Sequence, residues 1–593
     1  MQKEAKVTGV IGNMVTLKFN ENVKMNEVCY IEIKNSDNEM IKLKSEVIRI
    51  RDCECDIQIF EDSRGIKIND VVKLTDELLS IELGPGLLSN IFDGLGNPLV
   101  ELSKKNYFLK KGIYLNTLDR KKIWNFIPNK KIGEEILPGD SLGFVYENSI
   151  KHFILSPLKL INKMKIIKIK EEGNYNIEEI IAQVEIQIEE EKKILDIKMY
   201  QNWPVKIPIK KYKEKLLPYK QLVTKIRIVD TFFPIAEGGT ACMPGPFGSG
   251  KTVFQQAVSK FAEADIVIIT ACGERAGEVV EILKEFPEII DPKTNKPLIN
   301  RTVIICNTSS MPVAAREASV YTGITIAEYY RQMGLRVLNL VDSTSRWAQS
   351  LREMSGRLEE IPGEEAFPAY LNSTISSFYE RAGIVKLNDS KLDNTIGSVT
   401  LIGTVSPAGG NFEEPVTQST LSVVGCFLGL TYSRSYAKKF PAISPMDSWS
   451  KYFDLIEDSI EQAYEKNWTE KVKEIYNHYA KGQKIGDQIK LVGEEDLSIE
   501  EFTHFLKSEF FDSVYLQQDS FNKQDASPNI ERIKKTFNIS KEIIDYDFNF
   551  NNKMEARNAI NKLTFLMKDL NVTNEKDIEY NNILNKIKEI IKK

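Results

Sequence analysis

A chain of 593 residues, 27% charged and 42% apolar, is too long for one hydrophobic core and divides into roughly three to five domains. Its formal net charge of -5 argues against nucleic acid as the main partner. No apolar run approaches the ~18 to 20 residues of a membrane span, and Met1-Gln-Lys-Glu-Ala-Lys6 lacks a signal-peptide core, so we expect a cytoplasmic protein, at most peripheral to a membrane.

From Lys6 to Leu74 apolar and polar residues alternate in six or so short runs split by Gly, Asn and Asp turns, which predicts a small antiparallel barrel. The turn-rich stretch from Leu83 to Pro98 reads as the joint leaving it. A second β-rich region runs from Gly112 to Trp203 without any catalytic spacing. Its lysines alternating with Ile166, Ile167 and Ile169 form the wet face of a strand.

Between Pro204 and Phe440 short apolar strands (266–271, 302–306, 337–341, 398–405) alternate with amphipathic helices (277–286, 312–321, 325–333, 345–355), the signature of a parallel sheet covered on both faces. After Pro445 the chain turns helical. Phe453, Ile456, Ile460 and Ala463 make one apolar stripe, and Ile583, Ile587 and Ile590 another. The predicted domains are 1–75 (barrel), 76–111 (a connecting segment packing on the nucleotide domain), 112–203 (inserted β-rich module), 204–440 (phosphate-loop α/β domain) and 441–593 (helical domain). The seven scattered cysteines read as reduced thiols, and His152, His478 and His504 as surface or core residues and not as metal ligands.

The chemistry is concentrated in the α/β region. Gly245-Pro246-Phe247-Gly248-Ser249-Gly250-Lys251-Thr252, followed by Val253, fits the phosphate-cradling loop, with a strand before it and a helix after it. Glycines let the backbone curl its N–H groups around phosphate oxygens. Lys251 then reaches the β- and γ-phosphates, and the Thr252 hydroxyl ligates Mg²⁺. Asp342, ending the apolar run Val337-Leu-Asn-Leu-Val, is the second magnesium handle, acting mainly through a bound water; the alternative for it is an N-cap of the next helix. Glu274 in Cys272-Gly-Glu-Arg is the candidate that orients the attacking water, and Arg275 beside it neutralises charge developing on the γ-phosphate. Glu278 is the weaker rival, placed for a helix-dipole or surface role. Phe440 and Phe521 are candidates for stacking on adenine, although an isolated aromatic is more often core.

Together these motifs resemble the catalytic A (alpha) subunits of V-type and archaeal-type (A/V-type) rotary ATPases. The resemblance covers nearly the whole chain: Asp230-Thr-Phe-Phe-Pro-Ile-Ala236, the loop 245–252, Gly273-Glu-Arg275, the run from Asn307 to Ala318, Tyr321-Thr-Gly-Ile-Thr325, Asp342-Ser-Thr-Ser-Arg-Trp347, Ser355-Gly-Arg357, Phe378 to Gly383 and Pro415-Val-Thr417. It implies a RecA-like nucleotide domain that binds ATP/ADP with Mg²⁺. Lys251, Thr252, Glu274, Arg275 and Asp342 then keep the roles above, Arg346 contacts the site, and Phe440 and Phe521 flank adenine. It also implies an alternating A3B3 ring in which a B-type non-catalytic subunit donates the arginine finger. Central rotor and peripheral stalk subunits, and indirectly a membrane sector moving H⁺ or Na⁺, complete the machine on the cytoplasmic face of the membrane. Nucleic acid is not an expected partner.

Several positions depart from that pattern. Lys225-Ile226 stands where Gly-Gln is expected, and Thr374, Ser422 and Gly425 stand where the family usually carries arginine. Ser156-Pro157 lacks the usual turn of the insertion, and Ser249 replaces the cysteine of eukaryotic relatives. Two other functions compete: a hexameric RNA translocase of the transcription-terminator type, and a non-catalytic nucleotide-binding ring subunit. The acidic charge, the inserted β module and the helical C-terminal region oppose the first. The intact Lys251, Glu274 and Asp342 oppose the second.

Overall fold

Alternation of apolar and polar residues at the start of the chain closes a six-stranded antiparallel barrel. Its strands are Glu4–Ile11, Met14–Phe19, Glu27–Lys34, Met40–Arg51, Glu54–Ile59 and Val71–Leu78, joined around the barrel in the order first, second, fifth, fourth, third, sixth. Val7, Val15, Leu17, Ile31, Leu43, Val47, Ile57 and Val72 fill it, and closure pairs each of the six described strands on both sides.

These coordinates come from a computed structural model that describes residues 3–20, 22–34, 39–105, 111–188, 191–246 and 248–591. The chain forms two compact units. One comprises Met1–Leu217, Ala264–Val405 and Glu413–Val423, the other Pro218–Glu263, Ser406–Phe412 and Val424–Lys593.

In the first unit the chain leaves the barrel through Ser80–Leu83, paired with Gln201–Pro204, and Ile91–Phe92, paired in parallel with Thr302–Thr308. The β-rich module consists of two four-stranded antiparallel sheets around Ile136, Leu142, Met164, Ile166, Val184 and Ile186. Lys165, Lys168 and Lys170 are exposed on the strand side opposite that core, as the alternation predicts. The buried His152 meets Glu147 at 2.7 Å and the Tyr329 hydroxyl at 3.0 Å, tying the module to the long helix Val313–Arg331.

Four parallel strands, Thr302–Thr308, Ile266–Glu274, Arg336–Asp342 and Ile396–Val405, lie side by side in that order. All four are almost wholly buried, which is why they read as apolar runs. The two helices expected at 312–321 and 325–333 are one continuous helix, Val313–Arg331. Gly323 inside it is not a breaker. A Cβ there would stand 2.2 Å from Thr270 Oγ1, so its absence lets the helix lie close on the sheet.

In the second unit the strand Thr240–Pro244 runs parallel to Cys426–Phe427, which pairs antiparallel with Trp449–Ser450. The helices Trp468–Val492, Ile499–Phe511, Ile530–Asp545, Lys553–Val572 and Ile578–Ile591 follow. The stripe predicted from Phe453 to Ala463 is corrected at its end. The chain breaks into helices Tyr452–Leu455 and Glu457–Ala463, Ala463 is exposed, and the buried Tyr464 stacks on Trp468 at 4.6 Å instead. At the C-terminal stripe Ile583 and Ile587 are buried, Ile590 only half so, and Ile591 takes the inner place. Among the described residues no helix is long and apolar enough to cross a membrane. All seven cysteines are free thiols, only Cys53 exposed.

Candidate functional site

The glycine-rich loop belongs to the second unit. The buried strand Thr240–Pro244 delivers the chain to Gly245, and the helix Lys251–Phe261 begins at the lysine. Gly248 and Gly250 adopt φ of 77° and 90°, left-handed values that side chains disfavour, with open space where a Cβ would stand. Gly245 is required for a different reason: a Cβ there would meet Ser249 Oγ at 2.6 Å and Leu430 Cβ at 2.7 Å.

Lys251 Nζ donates to the carbonyl oxygens of Gly245 at 2.6 Å and Pro246 at 3.2 Å, folding the side chain back over its own loop. Ser249 Oγ donates to Pro246 O at 2.7 Å, and Ser435 Oγ to Gly248 O at 3.2 Å, bracing the curl from inside and outside. Thr252 is half-buried in the first helical turn, Val253 is exposed, and Phe247 lies outside the described residues. The N-cap Gly250 contributes no side-chain cap at the helix start behind the loop, and a helix N-terminus favours an anion.

Phe440 and Phe521 belong to the same unit. Phe440 is half-buried and precedes a cis peptide bond to Pro441, whereas Phe521 is 96% exposed at the tip of a loop. Gln518 N donates to Phe440 O at 2.8 Å, so the two aromatic-bearing segments are joined.

The acidic residues belong to the first unit, at the carboxyl ends of its parallel strands. Glu274 ends one strand and Asp342 ends its neighbour, with Ala271 and Asp342 in register. Asp342 does not cap the following helix: the N-cap of Thr344–Arg357 is Ser343, and Asp342 Oδ1 instead accepts the Thr404 hydroxyl hydrogen at 2.6 Å. The Glu274 carboxyl is pushed up to about 8, first by burial, then by the charge of Asp342 and by Glu278, with Arg346 pulling the other way. Glu278 therefore shares the acidic group electrostatically, which the reading of it as a dipole or surface residue did not foresee. Arg275 is exposed at the turn between strand and helix, and Arg346 is exposed in the first turn of its helix. Gly273, at φ 72°, would carry a Cβ 3.0 Å from both Arg316 Cδ and Arg346 Cβ, so two arginine stems close over the strand end because glycine is there.

Comparison with known proteins matches four domain families along the chain, and the nucleotide-binding one takes in parts of both units. The profile of the ATP synthase alpha/beta family nucleotide-binding domain matches residues 225–450, its beta-barrel domain 7–76 and its barrel-sandwich domain 115–206. The C-terminal domain of V and A type ATP synthase matches 457–555. The V-type ATP synthase alpha chain of Borrelia turicatae is 54% identical over 593 residues, covering 100% of this chain and 99% of that protein. Those of Borrelia garinii subsp. bavariensis and Borreliella burgdorferi strain B31 are 54% and 53% identical over 592 residues, with the same coverage. This chain belongs to the V-type ATP synthase alpha-chain family.

For this family member, two residues that sequence reasoning left without a role stand out in the geometry. Thr404 is the penultimate residue of the strand Ile396–Val405 beside Asp342, and only the strand order, which one sequence does not show, could have identified it. Arg316 sits on Gly273 with its guanidinium 3.7 Å from Glu353 and donating to Ser309 O at 3.3 Å; its signal was its place in the run 307–318. The departures also find physical accounts. Lys225 adopts φ 64°, a conformation that suits the glycine expected there. Gly425 has no room for any side chain, since a Cβ would stand 2.2 Å from the Tyr452 ring. Ser422 Oγ donates to Ser419 O within its own helical turn, and Thr374 Oγ1 to Tyr370 O.

Proposed function

We infer that this chain is the catalytic alpha subunit of a V-type ATP synthase, hydrolysing or making ATP in a membrane-associated complex coupled to ion transport. The observation that carries the reading is full-length identity above half to V-type ATP synthase alpha chains, in a chain whose phosphate loop has glycines in left-handed conformation ahead of Lys251 and Thr252. The same relatives and the V/A-type C-terminal domain favour it over the RNA-translocase alternative.

In this reading Gly245, Pro246, Phe247, Gly248, Ser249 and Gly250 wrap the phosphates, and Lys251 leaves its carbonyl partners for the β- and γ-phosphates. Val253 and Arg346 line the site, and Phe440 and Phe521 flank the base. The Thr252 hydroxyl and the Asp342 carboxylate, directly or through water, would hold Mg²⁺. They are hard oxygen donors of the kind that ion takes, and Thr404 fixes the carboxylate's orientation. Bound there, the cation supplies charge neutralisation to the phosphate oxygens. Glu274 holds the attacking water and accepts its proton, and Arg275 balances charge on the γ-phosphate.

The partners of this reading are a B-type subunit completing an A3B3 ring and donating an arginine finger, central rotor and peripheral stalk subunits, and a membrane sector that the chain serves from the cytoplasmic face. The test is co-expression with a B-type partner. We expect a ring that hydrolyses ATP only when both chains are present, and Lys251→Ala to lose nucleotide binding in titration. A chain that forms no ring, or binds ATP equally well without Lys251, overturns the reading.

A further inference from the structure

Within the second unit, the loop that presents Phe521 is fastened at its base to one arginine. Arg227, on the helix Arg227–Phe232, is 2% exposed. Its Nε donates to Tyr515 O at 2.9 Å, its Nη1 to Asp525 Oδ1 and its Nη2 to Gln517 O. The Arg227 backbone N–H donates to Gln518 Oε1 at 2.9 Å. Gln518 in turn donates from Nε2 to Lys225 O at 2.9 Å and Asp525 O at 2.8 Å, and from its backbone to Phe440 O at 2.8 Å. Asp525 Oδ2 accepts Asp519 N–H at 2.6 Å, and Asp519 Oδ1 accepts Phe521 N–H at 2.8 Å. An unbroken series of hydrogen bonds therefore runs from the Arg227 guanidinium through Asp525 and Asp519 to Phe521, and a second from its backbone through Gln518 to Phe440.

Burying a guanidinium is costly unless its donors are used, and a buried ion pair is weak evidence of stabilisation by itself. Here the fork is spent on a loop that has no apolar anchor at its tip: Phe521 is 96% exposed, so packing does not hold it. The planar, multiply bonded guanidinium holds three points of the loop base at once, which the single ammonium of lysine does not reproduce.

We propose that Arg227 is the positioning residue of the adenine slot: by fixing residues 515–525 against the Phe440 segment it sets the separation of the two aromatics, and so the affinity for the base, without touching nucleotide. This rests on the reading of Phe440 and Phe521 as the base platform. The phosphate loop has its own bracing from Ser249 and Ser435, so the effect is confined to the base.

The experiment is calorimetric titration of the complex, wild type and variants, with Mg-ADP and separately with magnesium tripolyphosphate, which has no base. Arg227→Lys and Gln518→Ala weaken Mg-ADP about tenfold, the scale of one stacked base, while tripolyphosphate affinity stays within about twofold. In turnover they raise KM for ATP and leave kcat near wild type. Phe440→Ala and Phe521→Ala are run alongside. If these two weaken Mg-ADP and the Arg227 and Gln518 variants do not, the positioning role is wrong and the slot stands. If none of the four does, the slot itself is wrong. Equal weakening of Mg-ADP and tripolyphosphate, or a variant that fails to fold as Lys, makes Arg227 a structural residue and overturns the proposal.

Discussion

Thr404 donates its hydroxyl hydrogen to Oδ1 of Asp342 at 2.6 Å, both residues buried at the carboxyl ends of adjacent parallel strands. The bond turns a carboxylate at a strand end into an oriented one, and hydrogen bonds to charged buried groups are the strong ones.

Thr404→Val keeps the shape and removes the donor. The loss of about 1.5 to 3 kcal/mol of carboxylate positioning raises the Mg²⁺ concentration needed for half-maximal ATPase activity by about tenfold or more. A magnesium titration of ATP hydrolysis at fixed ATP checks it. An unchanged midpoint separates Asp342 from metal binding.

Glu274→Gln keeps the side chain's size and removes its basicity. Nucleotide affinity stays nearly intact while turnover falls by about a hundredfold or more, as expected for a group that accepts a proton from water. Single-turnover hydrolysis beside equilibrium titration distinguishes the two effects. Normal hydrolysis in the variant removes Glu274 from the chemistry.

The raised Glu274 pKa has two consequences of definite sign. In its proposed role as a base it must be deprotonated, so kcat/KM, which reports the free enzyme, is expected to fall on the acid side of about pH 8. For stability, the folded chain keeps a proton that the unfolded one has released between the ordinary 4.5 and about 8. The protonated group's contribution is therefore complete below 4.5 and lost as pH rises through 8. Glu274→Gln removes both dependences, in pH–rate profiles and in thermal melts measured across that window.

Lys225 sits at φ 64°, where a side chain costs about 1 to 2 kcal/mol. Lys225→Gly relieves that strain and gives part of it back through the freer unfolded chain. The net expectation is a stabilisation of about 0.5 to 1 kcal/mol, read as a small rise in melting temperature. Lys225→Ala keeps the Cβ and does not reproduce it. Equal melting of the two variants shows that the backbone is not strained there.

How much was legible in the sequence follows from range. The period-two alternation of Val7, Val15 and Leu17, the buried runs at 266–271 and 337–341, and the glycines of 245–250 are each dictated by the residue's own backbone freedom or by neighbours a few positions away. The continuity of Val313–Arg331 was not legible, because what places Gly323 inside the helix is a close approach to Thr270, a residue on a separate strand.

The amino-acid order alone determined the barrel, the phosphate loop and the acidic strand ends, since steric and hydrophobic periodicity act along the chain. Only the tertiary structure decided that Thr404 orients Asp342, that Glu278 adds to the charge raising the Glu274 pKa, and that Arg227 holds a loop almost 300 positions away. Those relationships depend on strand order and burial, and electrostatic and hydrogen-bond energies are set by distances in space that a sequence position does not contain.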